Sequence, residues 1–124
     1  MNNKPTDSEL SVLALLWENG PQTVREIHDK IAESKPIGYT TTLKIMQIML
    51  EKGLLSRKKQ GKTHLYKPTF SKKSTQANMI DKMVSTVFNG SASDLVIQAL
   101  GHGKTSKEEL KEIRDYLNKL NNDE

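Results

Sequence analysis

The chain has 124 residues, which suits one small domain or a small domain with a helical appendage and is too short for a multidomain enzyme. It contains no cysteine, which excludes disulfides, thiolate metal ligands and cysteine nucleophiles. The net charge of +4 is unevenly spread, since residues 1–68 hold 11 Lys/Arg against 7 Asp/Glu and residues 69–124 hold 8 of each. No apolar run approaches the roughly 18 residues of a membrane span, so we expect a cytoplasmic protein without membrane insertion.

Two short helices are predicted at the start of the chain. The first covers about residues 7–19 and begins at the capping-box pair Thr6 and Glu9. The second begins at the pair Thr23 and Glu26 and ends before a Lys-Pro step, because the residue before proline avoids the helical region.

A third helix is predicted from about Tyr39 to Lys52, with Gly53 ending it. Its apolar positions are too many for a single stripe, so periodicity leaves the rotation of this helix open. They are Leu43, Ile45, Met46, Ile48, Met49 and Leu50.

A basic β-hairpin is predicted next, with strands over about residues 54–59 and 63–67 around the loop Gln60-Gly61-Lys62. Three further helices follow, over about residues 72–88, 93–100 and 107–120. A flexible break is predicted at 101–103, and the last helix begins at the capping-box pair Ser106 and Glu109. Three helices and a hairpin in this order are typical of a winged helix-turn-helix. The predicted fold is mainly α with a small β-hairpin, divided into a winged-helix domain (1–70) and a C-terminal helical dimerisation domain (71–124).

The winged-helix interpretation assigns double-stranded DNA as a partner. Threonine hydroxyls and a glutamine amide can read base edges, whereas lysines mainly neutralise phosphate. Residues 52–73 contain eight cationic side chains, of which Lys52 is the first, and no carboxylate. The candidate DNA-binding residues lie at the start of the third helix and on the hairpin: Tyr39, Thr40, Thr41, Lys44, Gln47, Arg57, Lys58, Lys59, Lys62 and His64.

Several segments resemble the penicillinase-repressor (BlaI/MecI/CopY) family of transcriptional regulators. They are SELSVLALLWENGPQTVREIHDKI, GYTTTLKIMQIMLEKGLL and the hairpin SRKKQGKTHLYKP, followed by VFNGSASDLVIQAL and SKEELKEIRDYLNKL. The resemblance covers nearly the whole chain. It implies a homodimer that binds a palindromic operator and represses the adjacent genes.

The last two of these segments resemble the family's dimerisation helices. An apolar, net-neutral helical part that cannot form a full core alone suits a dimer interface. The candidate interface residues are Ile80, Val84, Val87, Phe88, Leu95, Val96, Ile113 and Leu117.

Branches of this family differ in the signal that releases the repressor from DNA. The copper-responsive branch has a cysteine cluster, which this chain lacks, and its three histidines have no ligand spacing, so we expect no metal site and no cofactor. The β-lactam-responsive branch is cleaved at an Asn-Phe bond, a place that Gln98 and Ala99 occupy here. Release through a membrane sensor protease and release by another signal both stay open.

Enzyme motifs fail on inspection. The Gly-Lys-Thr triplets at 61–63 and 103–105 lack the earlier glycine of a phosphate-binding loop, and Ser56-x-x-Lys59 lacks the partner motif of penicillin-binding enzymes. We therefore expect no enzyme. The alternative to a DNA-binding repressor is a winged-helix module for protein-protein assembly that does not bind DNA, and the dense positive charge of the hairpin favours the repressor.

Overall fold

The computed structural model describes residues 4–122, over which the chain forms six helices and a two-stranded antiparallel sheet. The fold is therefore mainly α with a β-hairpin, as predicted. In chain order the elements are α1 (Asp7–Asn19), α2 (Val24–Ala32), α3 (Tyr39–Glu51), β1 (Leu55–Gln60), β2 (Thr63–Pro68), α4 (Lys72–Thr86), α5 (Ala92–Gly101) and α6 (Lys107–Asn122). The chain divides into two compact units between Ala77 and Asn78, within α4.

Both predicted capping boxes at the start of the chain are present. The Thr6 hydroxyl accepts from the Glu9 N–H at 3.2 Å, and the Glu9 carboxylate accepts from the Thr6 N–H at 2.9 Å. Thr23 and Glu26 form the same reciprocal pair at the start of α2. Each box satisfies two backbone donors that a helix N-terminus otherwise leaves unpaired, which fixes where each helix begins.

The core of the first unit draws on all three N-terminal helices and both strands. Burying a side chain of the size of leucine or methionine contributes about 1.5–3 kcal/mol, so these side chains supply the main favourable term in the stability of this unit. Its buried members are Val12, Leu13, Leu16, Val24, Ile27, Met46, Met49, Leu54, Leu55 and Tyr66.

The hairpin is attached to the helices by a backbone bridge that the sequence analysis did not predict. Gln22, between α1 and α2, exchanges both backbone hydrogen bonds with Tyr66 of β2, at 3.1 and 2.8 Å. The buried Gln22 amide also donates to the carbonyls of Leu15 and Gly20. The base of the hairpin is therefore held against the C-terminal end of α1.

The hairpin loop is shorter than predicted. Gln60 pairs with Thr63, so the loop contains Gly61 and Lys62 alone. Gly61 has φ +64° and Lys62 does not have a positive φ, which is the sign pattern of a type II′ turn. This turn matches the right-handed twist of the paired strands, and glycine meets its first position without steric cost.

The second unit exposes most of its apolar surface. Neither α5 nor α6 contains a buried residue, although each has apolar side chains at helical spacing. Ser91 caps α5, and the predicted capping box of Ser106 and Glu109 begins α6. These helices are well specified locally but lack a core of their own.

Candidate nucleic-acid interface

The exposed face of α3 carries short polar and cationic side chains. Thr40, Lys44 and Gln47 lie at i, i+4 and i+7, which places them on one side of the helix, and all three are exposed. Exposed Thr41 lies beside them. The opposite side is buried through Thr42, Met46 and Met49, so the core decides the rotation that the sequence pattern left open.

The start of α3 is held against α2 by a cluster of four side chains. The Arg25 guanidinium lies 4.2 Å from the centre of the Tyr39 ring, and the His28 and Tyr39 rings form a T-shaped pair with their centres 5.5 Å apart. His28 Nδ1 is also 3.0 Å from the hydroxyl of Thr42, which is fully buried. Tyr39 is thus half-buried between two helices, and the cluster orients the first turn of α3.

Sequence reasoning missed Arg25 and His28 as members of this site. Neither residue was among the candidate DNA-binding residues, because the local patterns of α2 mark only where that helix begins and ends. The signal is a set of contacts between side chains of two different helices, which no local pattern contains.

The hairpin exposes its cations on both faces. Lys58, Lys59 and Lys62 are all exposed, and strand alternation places Lys58 and Lys59 on opposite faces. Arg57 is exposed but donates to the Tyr66 hydroxyl at 3.1 Å, and half-buried His64 lies across from Lys59 and packs edge-on near Tyr66. The hairpin therefore carries four exposed lysines, these three and Lys67, together with a tethered arginine.

Lys52, the first cation of the basic run at 52–73, forms an ion pair within the fold and does not belong to the exposed cationic surface. Its ammonium group donates to both carboxylate oxygens of Glu9, at 2.8 and 3.0 Å. Burial raises the pKa of the Glu9 carboxyl, whereas the hydrogen bond and charge of Lys52 and the hydrogen bonds at Thr6 lower it, and the net pKa lies below the ordinary 4.5. Lys52 therefore ties the end of α3 to α1, and its charge is neutralised within the fold.

Comparison with known proteins identifies the family. Residues 5–119 match the family model described as penicillinase repressor. The chain belongs to the penicillinase repressor family. Since the match begins before α1 and ends within α6, it includes the winged-helix elements and the C-terminal helices alike.

Individual relatives of this family member have low sequence identity. The transcriptional regulator BlaI of Mycobacterium tuberculosis (strain ATCC 25618 / H37Rv) is 29% identical over 87 residues, which are 68% of this chain and 63% of that protein, less than two thirds of its length. The penicillinase repressor of Bacillus licheniformis is 20% identical, covering 94% of this chain and 91% of that protein. The methicillin resistance regulatory protein MecI of Staphylococcus aureus (strain N315) is 23% identical, covering 96% and 99%.

One solved structure is similar to this chain. It is that of a cysteine-to-serine mutant of ZitR from Lactococcus lactis, with a TM-score of 0.44 and 17% identity, covering 96% of this chain and 78% of that chain.

The predicted dimer-interface residues of this chain fall into two groups according to their solvent exposure. Half-buried positions are Val84, Phe88, Leu95 and Ile113, whereas the exposed positions are Ile80 (53% exposed), Val87 (72%), Val96 (46%) and Leu117 (54%). Exposed apolar side chains that the prediction omitted are Met79, Met83, Ile97, Leu110, Tyr116 and Leu120. The apolar surface of the second unit is therefore larger than the sequence stripes suggested.

Gln98 and Ala99, the predicted cleavage region, lie within α5 and are exposed. The predicted flexible break at 101–103 begins later than expected, because Gly101 is the last residue of α5 and His102 caps it with helical backbone angles.

Within residues 4–122, no group of three or more His, Cys, Asp or Glu side chains is arranged to hold a metal ion. Over the same range, no helix combines the length and apolarity that a membrane crossing requires.

Proposed function

We propose that this protein is a transcriptional repressor that binds a palindromic operator as a homodimer, with each subunit contacting one half-site. The observation that carries the proposal is the pairing of an exposed polar face on α3 with an exposed cationic hairpin in one compact unit. Membership of the penicillinase repressor family supports it, because the named relatives are regulators and repressors.

The two parts of the surface divide the work of recognition. In the proposed complex α3 enters the major groove, where Thr40, Thr41 and Gln47 meet base edges and Lys44 meets phosphate. The hairpin lies along the backbone, where its lysines release counterions and supply affinity for any sequence. Tyr39, which Arg25 contacts from α2, lies at the first turn of α3 and steadies that turn beside the DNA.

The exposed apolar surface of α4, α5 and α6 supports the homodimer. Isolated apolar side chains on a surface are ordinary, but a concentration of them within one 47-residue unit indicates a surface that is covered in the working protein. A second copy of the same chain offers a matching apolar face, and a two-fold axis would place two recognition helices on successive major grooves.

Release from the operator by proteolysis is the finer part of the proposal. In this proposal a membrane sensor protease cuts the peptide bond between Gln98 and Ala99. A protease binds its substrate in an extended conformation, so the end of α5 would have to unwind before cleavage. The nearby glycines at 101 and 103 lower the free-energy cost of that unwinding, because glycine disfavours helical structure.

The proposed function also implies a location. A repressor acts on DNA, so we propose that the protein is cytoplasmic.

The proposal is tested by selecting duplexes from a randomised library with the purified full chain. The affinity for the selected duplex is then measured by fluorescence anisotropy between about 50 and 200 mM salt, together with a scrambled duplex of equal length. We expect an enriched inverted repeat, tighter binding to it than to the scrambled duplex, and an affinity that falls steeply as salt rises. A protein that enriches no sequence and ignores DNA at low salt would instead fit the protein-protein assembly alternative.

A further inference from the structure

Ile48 stands apart from the other large apolar side chains of the first unit. It is 37% exposed, whereas Met46 and Met49 on either side of it along α3 are fully buried. Among residues 4–122, every other exposed large hydrophobic residue lies beyond residue 77, in the second unit. Among the described residues of the first unit, the single exposed large apolar side chain is therefore on the recognition helix.

The position of Ile48 on that helix is part of the proposed DNA-reading face. It follows Thr41 by seven residues and Lys44 by four, spacings that place all three along one side of a helix. The half-buried apolar residues of α3 pack against the core; they are Tyr39, Leu43, Ile45 and Leu50. The face that remains carries polar and cationic side chains together with this one isoleucine.

The chemistry of the surroundings restricts what Ile48 can contact. A lone apolar side chain among threonine, lysine and glutamine offers too little apolar area for a protein partner. A phosphate gains nothing from it. In the major groove, the thymine 5-methyl group is an apolar feature that distinguishes one base from the other three. An apolar side chain at this place is matched to that methyl group.

We propose that Ile48 contacts the 5-methyl group of a thymine in each operator half-site and so determines a base preference at that position. The inference rests on the proposed function, because it presupposes that α3 enters the major groove. It adds a specificity-determining residue outside the set that the sequence analysis assigned to DNA.

The experiment removes the methyl group from the DNA and the side chain from the protein in turn. In the duplex selected by the wild-type chain, each thymine of the half-site is replaced by deoxyuridine, symmetrically in both half-sites. Deoxyuridine lacks only the 5-methyl group and pairs normally. Dissociation constants are measured for the wild type, Ile48→Ala, Ile48→Val and Glu51→Ala. Glu51 is exposed on the same helix and ends in a carboxylate, which has no favourable contact with a methyl group, so its variant is the matched control.

We expect one thymine position at which deoxyuridine weakens wild-type binding by about four-fold per half-site, the value of one buried methyl group. Ile48→Ala should be indifferent to that replacement, while Ile48→Val and Glu51→Ala should keep the wild-type sensitivity. If Ile48→Ala loses as much as the wild type at every thymine, the contact does not exist although DNA recognition stands. If no duplex is selected at all, the proposed function and this inference both fail.

Discussion

The ionised carboxylate of Glu9 contributes to the stability of the folded state. It is 4% exposed and accepts hydrogen bonds from the Thr6 N–H and from the Lys52 ammonium, and its pKa lies below 4.5 in the folded state. A lowered folded pKa contributes stability that is present above 4.5 and lost as the pH falls through the folded value. We therefore expect the free energy of unfolding to decrease on acidification below pH 4.5, in part through Glu9.

The variant Glu9→Gln should remove that part of the acid sensitivity. At pH 7 it should lower the free energy of unfolding by about 2 kcal/mol, because a charge-assisted hydrogen bond in a mostly buried site is lost. Urea unfolding of both proteins from about pH 7 to pH 3 measures the effect. Glu26→Gln is the matched control, since Glu26 forms the same capping box but is exposed. Parallel pH profiles for the wild type and Glu9→Gln would contradict the assignment.

Thr41 and Gln47 are the residues from which we expect base discrimination. Thr41→Ala or Gln47→Ala should narrow the affinity difference between the selected duplex and a scrambled one by roughly 1–3 kcal/mol, the value of a good base contact. Anisotropy titrations with both duplexes measure it. Thr86→Ala, an exposed helical threonine in α4, should leave both affinities unchanged. An equal loss on both duplexes would make the contact one to the backbone instead.

At the level of elements, the hairpin is expected to contribute affinity without sequence preference. Lys58→Ala and Lys62→Ala should weaken binding to selected and scrambled duplexes alike, and each should reduce the slope of log K against log salt by about one. Lys119→Ala, which removes an exposed lysine from α6, is the control and should leave the slope unchanged. A change of specificity in the hairpin variants would instead indicate a base contact.

The elements themselves were predictable because their signals are local. The capping boxes of Thr6, Thr23 and Ser106 each lie within four consecutive residues, and all three are present in the structure. The hairpin loop was predicted one residue too long, because Gln60 carries no signal that distinguishes the end of a strand from a loop. Its pairing with Thr63 is a property of both strands together.

The contacts that hold the site together were not predictable from one sequence. The Glu9–Lys52 ion pair joins residues 43 positions apart, and the Gln22–Tyr66 bridge joins residues in different elements. The rotation of α3 was open for the same reason, because its apolar residues occupy several sides. Only packing against the other helices buries Met46 and leaves Ile48 exposed.

Across the whole molecule, the distribution of charge and of apolar surface follows the division into two units. The basic excess lies in residues 1–68, whereas nearly all exposed large apolar side chains lie beyond residue 77. The candidate DNA surface and the candidate dimer surface are thus on separate units. Substitutions in the second unit should therefore change operator binding through dimerisation while the fold of the first unit is retained.

Leu117→Asp tests this separation. Leu117 is 54% exposed on the apolar stripe of α6, so a carboxylate there costs little within the subunit but would be buried and unpaired in a dimer. We expect sedimentation velocity to show mostly monomer at concentrations where the wild type is dimeric, and affinity for the full inverted repeat to fall at least ten-fold. Asn118→Asp adds the same charge to the adjacent residue, outside the stripe, and should remain dimeric. Because the first unit keeps its own core, binding of Leu117→Asp to a single half-site should match that of the wild type. An unchanged dimer would exclude this face of α6 from the interface.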